Sequence, residues 1–290
     1  MRPTAIIVFL ATVFAVEGAE SQGNSDIFVG SITFDGGVIR IVDLVNATDR
    51  PGYDNQPSFM DNGSQILFTR GMDDGQTDIF RYTLADGRTE RVTRTPESEY
   101  SPTLLPGGNS FAVIRVEADS TQRLWSFPLS GRDPELILPH LEPVGYQAWA
   151  NDSVVAVFVL GQPPTLRIAN TRSGEVTLIA ESVGRSIHRI PGQRDISFVH
   201  KLGEDEWWIT KFDAASGQLI RVAATLPGRE DYAWTPFGTI FMADGAVLYQ
   251  WAPSGGGWSE IADLSTHGMG EISRIAVSPA GNHIALVGTR

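Results

Sequence analysis

Short apolar runs, separated by polar turn signals, follow one another along the whole chain. The strongest of them are rich in β-branched and aromatic residues and lie at 65–69, 110–114, 154–158, 195–199 and 239–242. Such runs, bounded by Gly, Asn, Asp and Pro, are typical of strands. No long apolar helical period follows the first twenty residues. The pattern therefore predicts an all-β chain.

Two kinds of turn signal recur between these runs. Asn62-Gly63 and Gly107-Gly108 represent the first kind, which comes directly before a strongly β-prone run. The second kind contains glycines at 87, 131, 174 and 217, which are 44, 43 and 43 residues apart. A fixed period of this length, with four strand-like pieces in each period, is typical of propeller blades. The sequence predicts a six-bladed β-propeller with four antiparallel strands per blade.

The order of the turn signals indicates how the ring closes. The chain opens on a signal of the second kind and closes on one of the first kind, so it starts and stops within a blade. Segments 27–34 and 38–44 supply two outer strands, and segments 275–277 and 284–287 supply two inner ones. An open ring would leave apolar blade faces and strand edges unpaired. We therefore expect the N-terminal and C-terminal strands to share one blade.

The first residues have the composition of a targeting segment. Arg2 precedes a twelve-residue apolar run at 5–16, and small residues follow at Gly18 and Ala19. A signal peptide has this order, and a run of this length is too short to span a bilayer. We predict a signal peptide at 1–19, a propeller at 25–290, and a periplasmic or secreted protein. The absence of cysteine excludes disulfides and thiol chemistry.

The charge of the chain limits its partners. The formal net charge is −12 at pH 7, and no basic stripe interrupts it. An acidic surface repels phosphate, so nucleic acid is excluded as a partner, and no segment after the N terminus is apolar enough for membrane insertion. We expect a soluble monomer.

The quoted repeats resemble those of a known family. The run 56–70, with Pro57-Ser58-Phe59 before Asn62-Gly63, is followed by Asp78-Ile79-Phe80 and by Asp86-Gly87, and 277–285 repeats it. This pattern resembles the TolB-type, WD40-like propeller repeat. TolB itself carries an α/β domain ahead of its propeller, for which this sequence has no room between the signal segment and the first strand. The resemblance implies a fold more than a function, because the repeat residues shape turns.

Residues that precede the inner strands are the candidates for a binding site. Propellers bind at the central tunnel, and we expect these residues at the tunnel mouth on the face where the inner strands begin. They are Gln56, Glu99, Tyr100, Tyr146, Glu230, Asp231 and Arg274. We expect the two tyrosines side by side, and an acidic surplus that favours a ligand with a cationic group. The alternative is a hydrated rim that binds nothing.

A catalytic role is the competing interpretation. Lactonases and oligogalacturonate lyases, which resemble this chain in outline, hold a divalent ion in the tunnel. Of the five histidines only His188 lies near the start of an inner strand, so the sequence provides no convergent metal ligands. We therefore predict no catalytic residues, no metal and no cofactor. The preferred interpretation is an exported, non-catalytic scaffold for a protein or peptide of the cell envelope. A tunnel-site, metal-assisted hydrolase or lyase is the alternative.

Overall fold

A computed structural model describes residues 23–36 and 38–289, so the predicted signal peptide lies outside the described residues. Apart from a short 3-10 turn at Ser265–His267, the regular structure of this part of the chain consists of β-strands. They form six four-stranded antiparallel sheets. The predictions of an all-β fold and of a six-bladed propeller are confirmed.

The strands are named here in chain order. The first half comprises β1 (Asp26–Asp35), β2 (Val38–Asn46), β3 (Asp54–Phe59), β4 (Gln65–Gly71), β5 (Thr77–Thr83), β6 (Thr89–Arg91), β7 (Ser98–Leu104), β8 (Ser110–Val116), β9 (Gln122–Pro128), β10 (Glu135–Ile137), β11 (Val144–Asn151) and β12 (Val154–Val159). The second half comprises β13 (Thr165–Asn170), β14 (Val176–Glu181), β15 (Val183–Arg189), β16 (Ile196–Lys201), β17 (Trp207–Phe212), β18 (Leu219–Ala224), β19 (Tyr232–Trp234), β20 (Ile240–Asp244), β21 (Val247–Trp251), β22 (Trp258–Asp263), β23 (Ile272–Val277) and β24 (His283–Gly288).

The first blade joins both ends of the chain. Its strand order is β2-β1-β24-β23, and Asp26 pairs with Gly288 while Ser31 pairs with His283. The other five blades are the consecutive quartets β3–β6, β7–β10, β11–β14, β15–β18 and β19–β22, which we number second to sixth. The inner strands of consecutive blades are neighbours, and β19 meets β23. The predicted sharing of one blade by the N-terminal and C-terminal strands is therefore confirmed.

The hydrophobic core is divided among the spaces between the blades. Six clusters of buried apolar side chains each join two neighbouring blades. Strand β24 shows why the second-innermost strands are apolar on both faces. Its Ile284 and Leu286 pack towards the sixth blade, and its Ala285 and Val287 pack towards the second. Alternate side chains of a strand point to opposite faces, so each blade helps to bury both of its neighbours.

One glycine turn lies directly against the neighbouring blade. Gly131, between β9 and β10, has φ +71°, and a Cβ added there would lie 2.1 Å from the carbonyl oxygen of Val92 in the second blade. The corresponding Gly174 of the fourth blade has φ +75° and open space around the same position. The two glycines thus share their backbone conformation and differ in their surroundings.

We expect Gly131→Ala to lower the free energy of unfolding by about 3 kcal/mol, because the left-handed backbone strain is joined by a collision with backbone. Gly174→Ala, the matched control, bears the strain alone and should cost about 1 kcal/mol. Urea unfolding of both variants measures the difference. Equal losses of unfolding free energy in the two variants would show that the backbone near Val92 can move away from the added Cβ without an energetic penalty.

The two faces of the ring are distinguished by the direction of the inner strands. We call the face at which the inner strands end the strand-end face, and the opposite one the strand-start face. Beyond Ser31, the last residue of β1 to pair with β24, the β1–β2 hairpin continues past the blade on the strand-end side.

No helix in the described part of the chain has the length and hydrophobicity needed to cross a membrane.

Candidate functional site

An axial cavity of about 470 Å³ is lined by residues from all six blades. In every blade the lining begins near the start of the inner strand, and in four blades it continues into the turn that follows the strand. The exposed Asp61, Arg189 and Pro279 belong to the end of the lining that lies at the strand-end face. The cavity therefore opens on that face, whereas the sequence placed the binding mouth where the inner strands begin.

Irregular pairing aims polar side chains into the tunnel. The register shifts between Asn55 and Ser58 in β3 and between Tyr100 and Thr103 in β7. Within these two bulges Gln56 has φ 56° and Ser101 has φ 53°, an uncommon region for residues other than glycine. A bulge turns a side chain away from its regular alternation. Gln56 accepts hydrogen bonds from the Ser101 amide and from Thr69 Oγ1, both at 2.8 Å.

A cross-tunnel bridge forms the floor of the cavity. Arg274 of the first blade donates a hydrogen bond of 2.9 Å to the hydroxyl of Tyr146, which belongs to the opposite, fourth blade. The guanidinium also lies over the tyrosine ring, 4.9 Å from its centroid. A second guanidinium nitrogen of Arg274 pairs with Asp231 of the sixth blade. The bridge thus crosses the tunnel at the level of the strand starts.

Arg185 of the fifth blade completes the floor. Its guanidinium donates a hydrogen bond of 2.9 Å to Asp231, so one carboxylate serves two arginines. Burial opposes the charge of Arg274, but the combined interactions with Asp231, Tyr146 and Tyr53 outweigh it and the pKa of Arg274 is raised. Both guanidinium groups therefore stay charged at neutral pH, and Arg185 also contacts a second acid, Glu230.

Aromatic side chains form much of the wall above the floor. Trp149, Trp234, Tyr232 and His188 come from three successive blades, and the ring centroids of His188 and Tyr232 are 4.6 Å apart. The indole nitrogens of Trp149 and Trp234 already donate to protein oxygens, so both rings are held in place. Burial lowers the pKa of His188 to about 4, so this side chain is neutral at pH 7.

Five of the seven predicted site residues line one of two cavities. Gln56, Tyr146, Asp231 and Arg274 line the axial cavity near its floor. Glu230 lies instead in a second cavity of about 200 Å³, which Asp231 also lines. There Glu230 is neutralised by Lys201 Nζ at 2.8 Å and by Arg185 Nε at 3.2 Å.

The other two predicted residues, Glu99 and Tyr100, do not line these cavities. Glu99 is completely buried between the second and third blades, where it accepts hydrogen bonds from Thr93 and Thr95. Tyr100 packs on the apolar cluster between the third and fourth blades, while Tyr146 packs on the next cluster, between the fourth and fifth. The two tyrosines thus pack on different apolar clusters. Burial raises the pKa of Tyr53, and both tyrosines lie close enough to Tyr53 to raise it further.

The charge of the cavity departs from the expected acidic surplus. Arg185, Arg189 and Arg274 line it together with Asp61 and Asp231. Of the two other predicted acids, Glu99 is enclosed between blades and Glu230 faces the second cavity. A protein of net charge −12 thus has a lining with one more cation than anions.

A metal site would require several His, Asp or Glu side chains that converge on one point. Within 23–36 and 38–289, no group of three or more His, Asp and Glu side chains is arranged to hold a metal ion. Asp231 is already paired with two arginines. Divalent cations require several convergent oxygen or imidazole ligands.

The chain matches no protein-family model and no curated protein. Solved structures do match. A protein assigned to TolB from Agrobacterium tumefaciens is 16% identical, with a TM-score of 0.71 over 91% of this chain and 98% of that one. The fold is that of a TolB-like β-propeller. Every strand of the described residues belongs to one of the six blades of this TolB-like propeller, so the α/β domain of TolB has no counterpart among them.

Enzymes with the same fold match as well. A gluconolactonase from Xanthomonas campestris is 10% identical, with a TM-score of 0.65 over 94% of this chain and 99% of that one. An oligogalacturonate lyase in complex with manganese is 13% identical, with a TM-score of 0.54 over 90% of this chain and 78% of that one. At these identities the likeness concerns the fold alone, and a TolB-like propeller is compatible with both classes of function.

Proposed function

We propose that this TolB-like propeller is an exported, non-catalytic binding module whose partner, a protein of the cell envelope, docks on the strand-end face and inserts a group into the axial cavity. The observation that carries the proposal is a concave, aromatic-walled cavity of about 470 Å³ with exposed lining residues at the strand-end face. Cavities of this size with a few convergent polar groups are typical ligand sites. The resemblance to TolB and the predicted signal peptide support the envelope as the location.

Exposed aromatic side chains on the same face support a macromolecular partner. Phe237, in the turn after β19, is 68% exposed, and Phe34, on the projecting β1–β2 hairpin, is 55% exposed. Their rings form an edge-to-face pair with centroids 5.8 Å apart, and the exposed Val38 lies on the same hairpin. Large apolar side chains that protrude together in a soluble protein commonly mark an interaction surface.

The composition of the lining favours binding over catalysis. The two carboxylates of the lining are Asp61 at the mouth and Asp231, which is engaged by two arginines. His188, the only histidine of the lining, is held neutral by burial and accepts or donates a hydrogen bond with Ser186 at 3.0 Å. A general acid or base needs a free, suitably poised group beside the substrate, and the bridged floor supplies none.

The test compares two exposed apolar positions, Phe237 at 68% and Leu178 at 52% exposure. We expect the chain, expressed in full with a C-terminal tag, to be recovered from the exported fraction without its first residues and cross-linked to a partner. Phe237→Ser should reduce the yield of the cross-linked product at least tenfold, since an aromatic anchor buried in an interface contributes on the order of 2 kcal/mol to binding. Leu178→Ser, on outer strand β14, is the matched control and should leave it unchanged.

Two results would count against the proposal. If Leu178→Ser removes the same cross-link while Phe237→Ser keeps it, the docking surface is the blade edge and not the strand-end face. If the chain keeps its N-terminal residues and stays in the cytoplasm, the exported location is wrong. Thermal unfolding of both variants should match the parent protein, because both side chains are exposed.

A further inference from the structure

We infer that the group received by the axial cavity is an anion, and specifically a carboxylate attached to an apolar or aromatic body. This inference rests on the proposed function and defines the chemistry of the same cavity. The inferred ligand charge is opposite to that of the cationic ligand that the sequence suggests. The reason is that two acids of the predicted site, Glu99 and Glu230, do not line the axial cavity.

The floor has guanidinium groups in excess of its own acid. Arg274 and Arg185 both donate hydrogen bonds to Asp231, and Arg274 also donates a hydrogen bond to the uncharged hydroxyl of Tyr146. Arginine presents up to five N–H donors and matches a carboxylate with two of them. Glu230 pairs with Arg185 and with Lys201, so the floor and the adjoining second cavity together hold three cations for two acids.

Two residues of the lining, Ser101 and Arg185, each have a side-chain polar atom without a hydrogen-bond partner. Ser101 is only 9% exposed and lines the cavity, and its Oγ has no hydrogen-bond partner. Arg185 Nε is also buried without a hydrogen bond, although Glu230 Oε1 lies 3.2 Å away at an unfavourable angle. Buried polar atoms are normally hydrogen-bonded, so these two atoms retain unused donor capacity beside the cavity, although neither atom is itself exposed to it.

The walls indicate what the carboxylate is attached to. Trp149 and Trp234 line the cavity above the floor, and Leu104 and Ile187 add apolar surface. His188 is neutral there, since burial lowers its pKa to about 4, and it adds no positive charge. An aromatic or aliphatic body packs against such walls while its carboxylate reaches the guanidinium groups.

Matched pairs of small probes test the charge and the body separately. N-acetylphenylalanine and its neutral amide differ only in the carboxylate, and glucuronate and glucose form a second pair with a sugar body. Titrations of the 15N-labelled protein follow the indole N–H signals of Trp149 and Trp234, which are assigned by replacing each in turn with Phe. We expect N-acetylphenylalanine to bind at least tenfold more tightly than its amide, as charged hydrogen bonds imply.

Variants of the floor residues test the sign of the charge on the bound ligand. Asp231→Asn removes the acid that competes for both arginines, so it should strengthen the binding of N-acetylphenylalanine severalfold, whereas a cation-binding floor would be weakened. Arg185→Gln should weaken binding about tenfold. Arg172→Gln, in the exposed turn after β13 and outside the lining, is the control and should change it little. Thermal unfolding identifies any variant whose fold is impaired.

The outcomes separate this inference from the proposed function. Equal binding of the acid and the amide overturns the anion while leaving the cavity as a binding site. Binding of glucuronate alone keeps the carboxylate and overturns the apolar body. If no probe shifts the two indole signals, the inference fails, and the cross-linking dependence on Phe237 still decides the proposed function by itself.

Discussion

Deletion of residues 275–290 is expected to abolish cooperative folding of the entire ring. The deletion removes β24 and half of β23, which are the inner two strands of the first blade. It uncovers two of the six apolar clusters at once, because Ile284 and Leu286 belong to one and Ala285 and Val287 to the other. Burial of each large apolar side chain contributes about 1.5–3 kcal/mol, so the loss is comparable with the whole stability of a domain.

Circular dichroism and urea unfolding measure this effect. The truncated chain should give no cooperative transition, whereas removal of Arg290 alone leaves β24 intact and should unfold like the parent. Leu286→Ala, a milder change at a completely buried position, should cost about 3 kcal/mol. A truncated chain that unfolds at the midpoint of the full one would show that the other five blades are stable without closure.

Glu99→Gln is expected to change how stability depends on pH. Burial raises the pKa of Glu99 to about 7, against the weaker opposing effect of hydrogen bonds from Thr95 and Thr93. In the unfolded chain this carboxyl ionises near pH 4.5, so between pH 4.5 and 7 the folded state retains a proton that the unfolded state has lost. The free energy of unfolding therefore falls as pH rises through this window, by about 3 kcal/mol in total.

Other buried groups also contribute to the dependence of stability on pH, among them Asp78 and His188. Burial raises the pKa of Asp78, which lies beside Thr93, so its contribution has the same sign. His188 acts in the opposite direction: its pKa is lowered to about 4, and the stability it contributes is lost as pH falls below 6.5. The parent protein should thus show a partly cancelled pH profile.

The comparison of variant and parent isolates Glu99. The free energy of unfolding of Glu99→Gln, minus that of the parent, should rise by about 3 kcal/mol between pH 4.5 and 7. The surface control Glu90→Gln should show a small difference of opposite sign, because the hydrogen bonds from Arg81 lower the pKa of Glu90. Parallel curves for Glu99→Gln and the parent would contradict the buried, protonated state of Glu99.

The number of blades and their closure were predictable because their signals are local. Turn residues at a fixed period specify where strands end, and alternation with a period of two residues specifies which faces are buried. The glycine of each strand-three to strand-four turn, as at Gly131 and Gly174, has the positive φ that those turns require. Even the split blade followed from the order of the two turn signals in the chain.

The site was only partly predictable, since its residues come from positions where the strands are irregular. Gln56 and Ser101 point into the tunnel because β3 and β7 each contain a bulge, which no sequence pattern specified. Glu99 lies two residues before Ser101, yet its side chain turns into the space between two blades. Trp149, absent from the predicted set, could have been found from its place near the end of an inner strand.

The sequence alone determined the fold class, the six blades and the sharing of one blade by the two ends of the chain, because short-range turn chemistry and alternation encode them. Only the tertiary structure decided which face the cavity opens on and what charge lines it. Arg274 and Tyr146 are 128 residues apart and meet only because a closed ring places the first and fourth blades opposite each other. The charged residues of the cavity come from different blades, so they face one another only after the ring has closed.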